Sequence, residues 1–152
     1  MPSVFEKLNL RDQQGILVVN APSSFEAELS KLKGVAIHRD PKATSEIPFS
    51  LSFVTKQQEV DALTRAIAPR AKGDAIVWFA YPKGTSKRYK CEFNRDTGWA
   101  TLGKAGFEPV RMVAIDEDWS AVRFRRPEFI KTMKRDPKRV MSASGKKKVT
   151  KR

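Results

Sequence analysis

The chain has 152 residues, about the size of one domain, with 40% apolar and 31% charged residues, a balance typical of a globular protein. One cysteine, Cys91, and one histidine, His38, exclude an intrachain disulfide and a metal cluster built from these two residue types. No run approaches the roughly 20 apolar residues of a membrane-spanning helix, and the N-terminus lacks the apolar core of a signal peptide. We therefore expect a cytoplasmic protein without a membrane partner.

The net charge of +13 is unevenly distributed. Residues 131–152 hold ten basic residues and one acidic residue, whereas residues 1–130 hold 20 basic and 16 acidic residues. This division predicts a single α/β domain at 1–130 and a basic C-terminal extension at 131–152, which we expect to be disordered after about residue 141 because it has little apolar surface to bury.

The first third of the chain alternates between strand and helix patterns. The apolar run at 16–19 predicts a strand buried on both faces. Ser23 and Glu26 have the spacing of a capping box, and the helix that they begin ends at Gly34. A second short strand follows at 35–37.

The alternation continues into the middle of the chain. Residues 49–54 predict a third strand, and Thr55 with Gln58 forms another capping-box spacing. The second helix ends near Pro69. Residues 75–81 then form the strongest strand pattern of the sequence.

The last third predicts a short helix and a hairpin. Asp96 is a candidate N-cap for a helix over 99–105. Strands are expected at 110–115 and 120–125, antiparallel to each other, and a further helix at 128–135.

These elements predict a Rossmann-like, mainly parallel sheet of five or six strands with a C-terminal antiparallel hairpin and a basic tail. The simplest strand order places the second strand on one side of the first and the third strand on the other. This order creates a switch point between the first and third strands. Ligands of such sheets bind beyond the carboxyl ends of the strands at that point.

Several segments resemble a family of small bacterial proteins of unknown function. The most specific is the Asp-Glu-Asp-Trp-Ser stretch followed by Arg-Phe. The resemblance implies a Rossmann-like fold and brings no established activity. The segments that carry it are Leu17–Pro22, Trp78–Lys83, Asp96–Trp99 and Val113–Phe124.

A weaker similarity is to the later half of class I methyltransferases, which also end in an antiparallel hairpin. Those enzymes place a glycine-rich turn after the first strand, whereas this chain has Asn20-Ala21-Pro22 and no glycine there. The matching acidic residue after the second strand could only be Asp40. The glycine-free turn argues against S-adenosylmethionine, and no cofactor is predicted.

Two loops are candidate anion sites. The loop after the strongest strand combines cations, a glycine and hydroxyls, which suit a phosphate or carboxylate, although a solvated basic loop has the same composition. Polar groups at the first switch-point turn could hold an anion or simply cap the helix. The candidates are Lys83, Thr85, Ser86, Lys87 and Arg88 in the first loop, and Asn20, Ser23 and Ser24 in the second.

Other chemistry-bearing residues favour structural roles. The acidic turn at 116–118 could bind a metal, but such turns are common for local hydrogen-bonding reasons. Trp99 and Trp119 are expected to pack, His38 to lie at the surface, and the isolated thiol of Cys91 to be inert.

We therefore predict an uncharacterised, non-catalytic module that binds an anionic ligand or polyanion, without catalytic or metal-binding residues. A diverged methyltransferase-like enzyme is the alternative, and a structural adaptor acting through Trp119 and the final hairpin is the third hypothesis. The sequence leaves the oligomeric state open.

The tail generates the first testable prediction, which is weak, sequence-independent binding of nucleic acid or another polyanion. The residues at its end are Lys146, Lys147, Lys148, Lys151 and Arg152. If six to eight tail charges engage phosphates, log K against log salt should have a slope of roughly −5 to −7, because each neutralised phosphate contributes about −0.9. Fluorescence anisotropy with labelled duplex DNA over a salt series measures this slope.

Deleting residues 141–152 should reduce the slope and leave the melting temperature unchanged. Binding that is insensitive to salt or to this deletion would exclude the electrostatic account.

Overall fold

The computed structural model describes residues 4–11, 13–91 and 98–130. Its elements in chain order are α1 (Val4–Lys7), β1 (Gly15–Val19), α2 (Ser23–Leu29), β2 (Ala36–His38), β3 (Phe49–Phe53), α3 (Gln57–Ile67), β4 (Ile76–Pro82), α4 (Ala100–Lys104), β5 (Glu108–Ala114) and β6 (Trp119–Arg125). Short 3-10 turns lie at Pro41–Ala43 and Pro127–Phe129.

The strands form one six-stranded sheet in the order β2-β1-β3-β4-β6-β5. The pairs β1–β2, β1–β3 and β3–β4 are parallel, whereas β6 is antiparallel to both β4 and β5. The predicted fold class and the switch point between the first and third strands are confirmed. The hairpin is inserted so that β6 lies inside the sheet and β5 forms its edge.

Apolar layers cover both faces of the sheet because alternate residues of each buried strand point to opposite sides. We name the two faces by the helices packed on them. The α2 face is built on residues such as Phe25, Phe49, Phe53 and Trp78. The α3 face is built on residues such as Val60, Ile67, Phe79, Trp99 and Phe124.

The helix starts differ from the predicted capping boxes. Pro22 occupies the N-cap of α2 and has no side-chain acceptor that could cap the helix. The carboxylate of Glu26 is held by Arg39 at 2.8 and 2.9 Å instead. At α3 the carboxylate of Glu59, rather than Gln58, accepts the backbone N–H groups of Thr55 and Lys56. A carboxylate is the better acceptor for these N–H groups because charge-assisted hydrogen bonds are stronger than neutral ones.

Some predicted features are shortened or fall elsewhere. The helix expected at 99–105 is observed as α4. The 128–135 helix corresponds to the 3-10 turn at Pro127–Phe129 as far as the chain is described, and Asp96 and the tail lie outside the described residues. The sequence patterns missed α1, whose Phe5 packs on the α2 face.

No helix in the described ranges is long and apolar enough to cross a membrane.

Candidate functional site

The carboxyl ends of β1, β3 and β4 meet at one edge of the sheet, where the β5–β6 turn also lies. Because β6 is antiparallel to β4, its first residue, Trp119, pairs with Pro82 at the end of β4. The loops after three parallel strands and the acidic hairpin turn therefore share this edge. It is the edge where ligands of open α/β sheets bind.

The turn after β1 has a left-handed backbone conformation at Asn20, with φ of +58°. Its side-chain Nδ2 donates to the carbonyl of Phe53 at the end of β3, a long contact of 3.5 Å. Asparagine tolerates this conformation better than most residues. The turn thus has the backbone shape that glycine usually provides, although Ala21 and Pro22 keep their side chains where a ligand would approach.

The hydroxyl-bearing residues Ser23 and Ser24 at the start of α2 are exposed to solvent. Neither caps the helix, since Pro22 is the N-cap residue. With Asn20 they lie on the β1 side of the edge. Strand β3 separates them from the loop after β4, a distance of two strand spacings or about 10 Å.

The end of β2 carries the adjacent residues Arg39 and Asp40. Arg39 forms a forked ion pair with Glu26 of α2, and its guanidinium lowers the pKa of the Glu26 carboxyl. Asp40 is exposed, and its Oδ1 accepts the backbone N–H of Lys42 at 2.9 Å. One carboxylate oxygen of Asp40 is thus occupied by its own turn.

The loop after β4 is bound to the acidic hairpin turn. The backbone N–H of Lys83 donates to the carbonyl of Asp118, and the hydroxyl of Ser86 donates to the Asp118 carboxylate, both at 2.8 Å. The Ser86 oxygen also accepts the backbone N–H groups of Arg88 and Tyr89 at 3.3 and 3.2 Å. Ser86 is therefore the centre of a local hydrogen-bond network.

This network changes the interpretation of the basic loop as an anion site. The structure brings Lys83 and Ser86 together, but beside a carboxylate that offsets the positive charge of the loop. The remaining candidates, Thr85, Lys87 and Arg88, are exposed side chains. Anion binding by this loop stays a prediction, with the hydroxyl of Ser86 already donating within the protein.

The acidic turn is held by local hydrogen bonds. Asp116 Oδ1 accepts the backbone N–H groups of Asp118 and Trp119 at 2.8 and 2.9 Å. Among the described residues there is no group of three or more histidine, cysteine, aspartate or glutamate side chains able to hold a metal ion.

Trp99 and Trp119, which the sequence predicts to pack, are both buried. Trp99 packs edge-on against Phe79 and Tyr81 on the α3 face. Trp119 packs against Phe53 and Tyr89, with ring centroids 5.1 and 4.9 Å away. They form parts of the core at the carboxyl edge and hold the flanking loops in position.

Cys91 and His38 are both half-buried. His38 borders a shallow cavity of about 90 Å³ beside Gly15, Thr44 and Glu46. This cavity lies between the β1–β2 pair and the crossover to β3.

A polar cluster that sequence reasoning missed joins α3 to α4. Gln57 donates to the Asp61 carboxylate at 3.0 Å and to the carbonyl of Gly98 at 2.9 Å, and the Thr101 hydroxyl donates to Asp61 at 2.5 Å. The hydrogen bond from Thr101 lowers the pKa of Asp61. The i, i+4 spacing of Gln57 and Asp61 was the available local signal, but their partners are about 40 residues away.

Comparison with solved structures adds the fold relationship. An N-methyltransferase of Haemonchus contortus, in complex with phosphomonomethylethanolamine and S-adenosylhomocysteine, is similar with a TM-score of 0.52 and 10% identity, over 83% of this chain and 38% of that chain. Magnesium protoporphyrin IX methyltransferase of Synechocystis PCC 6803, with bound S-adenosylmethionine, gives a TM-score of 0.51 and 10% identity, over 81% of this chain and 74% of that one. LepI in complex with S-adenosylmethionine gives a TM-score of 0.51 and 11% identity, over 80% of this chain and 38% of that chain.

The chain has the Rossmann-like fold of class I methyltransferases. At this level of identity the likeness concerns the fold alone. No protein-family model and no curated protein matches the chain. The resemblance to small bacterial proteins of unknown function therefore stays a prediction.

The Ser86 network generates a testable prediction about the loop after β4. Replacing Ser86 with alanine removes the bond to Asp118 and leaves two backbone N–H groups without their acceptor. We expect a loss of about 1–3 kcal/mol in the free energy of unfolding, measured by urea denaturation. The neighbouring Thr85→Ala variant is the matched control, because an exposed side chain should change stability by less than about 0.5 kcal/mol. Equal stability of the two variants would contradict the role given to Ser86.

Proposed function

We propose that this chain is a diverged methyltransferase-like enzyme that binds S-adenosylmethionine at the carboxyl edge of β1 and β3. The fold comparisons support this alternative better than the non-catalytic binding module that ranked first in the sequence analysis. The observation that carries the proposal is the left-handed conformation of Asn20, because it gives the turn after β1 the shape of a cofactor-binding turn without glycine.

The absence of glycine from the turn after β1 was the main sequence argument against the enzyme. Glycine would meet two requirements there, and Asn20 meets one of them. Glycine in such turns provides a positive φ and lets a ligand approach the backbone closely. Asn20 satisfies the first requirement. The side chains of Ala21 and Pro22, both half-buried, limit the second, so we expect a weaker complex than a glycine-rich turn would form.

The edge offers residues that fit parts of the cofactor. The backbone around Asn20 would lie beneath it, and the exposed carboxylate of Asp40, at the end of β2, would accept hydrogen bonds from the ribose hydroxyls. When bound, the cofactor would supply an electrophilic methyl group. We assign no catalytic residue, because no described side chain at this edge is identified as the base or the acceptor-binding group.

The competing anion-binding proposal loses support at the loop after β4. Its central hydroxyl, Ser86, donates to Asp118, and the carboxylate beside Lys83 disfavours a second negative charge. The proposed cofactor site lies over β1 and β3 because the turn shaped by Asn20 follows β1 at this end of the edge.

Calorimetric titration with S-adenosylhomocysteine tests this proposal. We expect a dissociation constant on the order of 10–100 μM. Asn20→Val should weaken binding at least tenfold, because a β-branched residue disfavours a positive φ, whereas Asn20→Gly should retain it. Asp40→Asn should weaken binding if its carboxylate holds the ribose hydroxyls.

Glu128→Gln is the matched charge control, since Glu128 is exposed and follows β6 in the chain, away from this edge. The absence of measurable binding by the wild-type chain would refute the proposal. Binding of inorganic phosphate that depends on Lys83 and Lys87 would return the anion-binding module to first place.

A further inference from the structure

Three arginines lie on the α2 face of the β5–β6 hairpin. Ala121 belongs to the apolar layer of that face, and side chains two residues apart along a strand point to the same side, so Arg123 and Arg125 share it. Arg111 of β5 is directly opposite Arg123 in the antiparallel register. We call Arg111, Arg123 and Arg125 the arginine patch.

Only one member of the patch has an ion pair in the described part of the chain. Arg125 donates to the Asp74 carboxylate at 2.6 and 3.0 Å. Glu108 is buried and lies opposite Arg125 in the register. No described hydrogen bond or salt bridge joins Arg111 or Arg123 to an acceptor, and the buried Nε of Arg123 has no hydrogen-bond partner.

This arrangement is electrostatically unfavourable for the isolated protein. Like charges directly opposite each other on paired strands destabilise the pairing, and a buried guanidinium N–H without an acceptor adds a desolvation cost. Burial is the main cause that lowers the pKa of Arg123, and the charges of Arg125 and Arg111 act in the same direction, against the attraction of Asp74. An anion between Arg111 and Arg123 would remove both costs.

We propose that the arginine patch binds the phosphate backbone of double-stranded nucleic acid. Guanidinium groups match phosphate oxygens with two parallel hydrogen bonds. The patch lies at the opposite end of the sheet from the proposed cofactor edge, because β6 runs antiparallel and ends at Arg125 beside Asp74, which precedes β4. The proposal is therefore independent of the proposed function.

The basic sequence that follows β6 in the chain favours a long polyanion over a small phosphate compound. The chain leaves β6 at Arg125 and continues into residues 131–152, which carry ten basic residues. The patch and the tail thus follow each other along the chain, and an extended row of phosphates can neutralise both. A duplex is favoured over a single strand because it carries one negative charge per roughly 1.7 Å of helix axis, twice the charge density of one strand.

The test measures duplex DNA binding by the full-length chain across a salt series. The double variant Arg111→Gln/Arg123→Gln should bind less tightly, and its log K against log salt slope should be smaller in magnitude by about 1.8, that is, about 0.9 for each phosphate contact removed. Arg65→Gln on the opposite, α3 side of the sheet is the matched control, since Arg65 is exposed, and it should change the slope by less than about 0.5.

A second readout separates a binding role from a structural one. Arg111→Gln alone removes the cross-strand repulsion, so it should raise the melting temperature of the free protein by about 1–4 °C while it weakens DNA binding. Arg111 is exposed, so this variant avoids the loss of buried packing.

A lower melting temperature together with unchanged DNA binding would overturn the proposal and give the arginines a structural role. Arginine-dependent binding to phosphatidylserine vesicles without binding to duplex DNA would also overturn it, in favour of a membrane surface.

Discussion

The fold depends on the complete burial of β4. All seven residues from Ile76 to Pro82 are buried, because the strand has neighbours on both sides and apolar layers on both faces. Trp78 is fully buried on the α2 face and donates its indole N–H to the carbonyl of Leu8, 70 residues away in the sequence. On the other face Phe79 packs against Trp99 and Phe124. The strand thus links the N-terminal segment, both layers and the C-terminal hairpin.

The two strands beside β4 run in opposite directions, and this difference determines which loops and side chains lie at each end of the strands. Its parallel pairing with β3 places the end of β4 beside the ends of β1 and β3. Its antiparallel pairing with β6 brings the β5–β6 turn to the same edge and carries the chain back to the opposite one. The acidic turn therefore meets the basic loop after β4, while the arginine patch lies at the far end of the sheet.

The parts of the fold that local patterns determine were predictable. The buried strands β1, β3 and β4 appear as continuous apolar runs, and alternation with helix patterns fixed their parallel order. The insertion of β6 beside β4 was not predictable, because the alternating residues of 119–125 suit an edge as well as an interior strand, and only the pairing partner distinguishes the two. The four-residue helix α1 has a single buried anchor, Phe5, which is too little for a periodic pattern.

In the candidate site, too, the features set by local sequence were predictable and those set by distant residues were not. The sequence identified the turn after β1 and the loop after β4, since both follow apolar strands. It missed the contact of Ser86 with Asp118, because these residues are 32 positions apart and no local spacing encodes their meeting. It also took the missing glycine after β1 as an argument against S-adenosylmethionine, and no sequence pattern showed that Asn20 adopts a positive φ in this turn.

Hydrogen–deuterium exchange with and without saturating S-adenosylhomocysteine tests most directly whether the ligand binds over β1 and β3 rather than over the loop after β4. We expect slower exchange in peptides that cover 19–24 and 54–57, with unchanged exchange at 83–89. Protection confined to 83–89, or no protection at any of these segments, would contradict binding over β1 and β3.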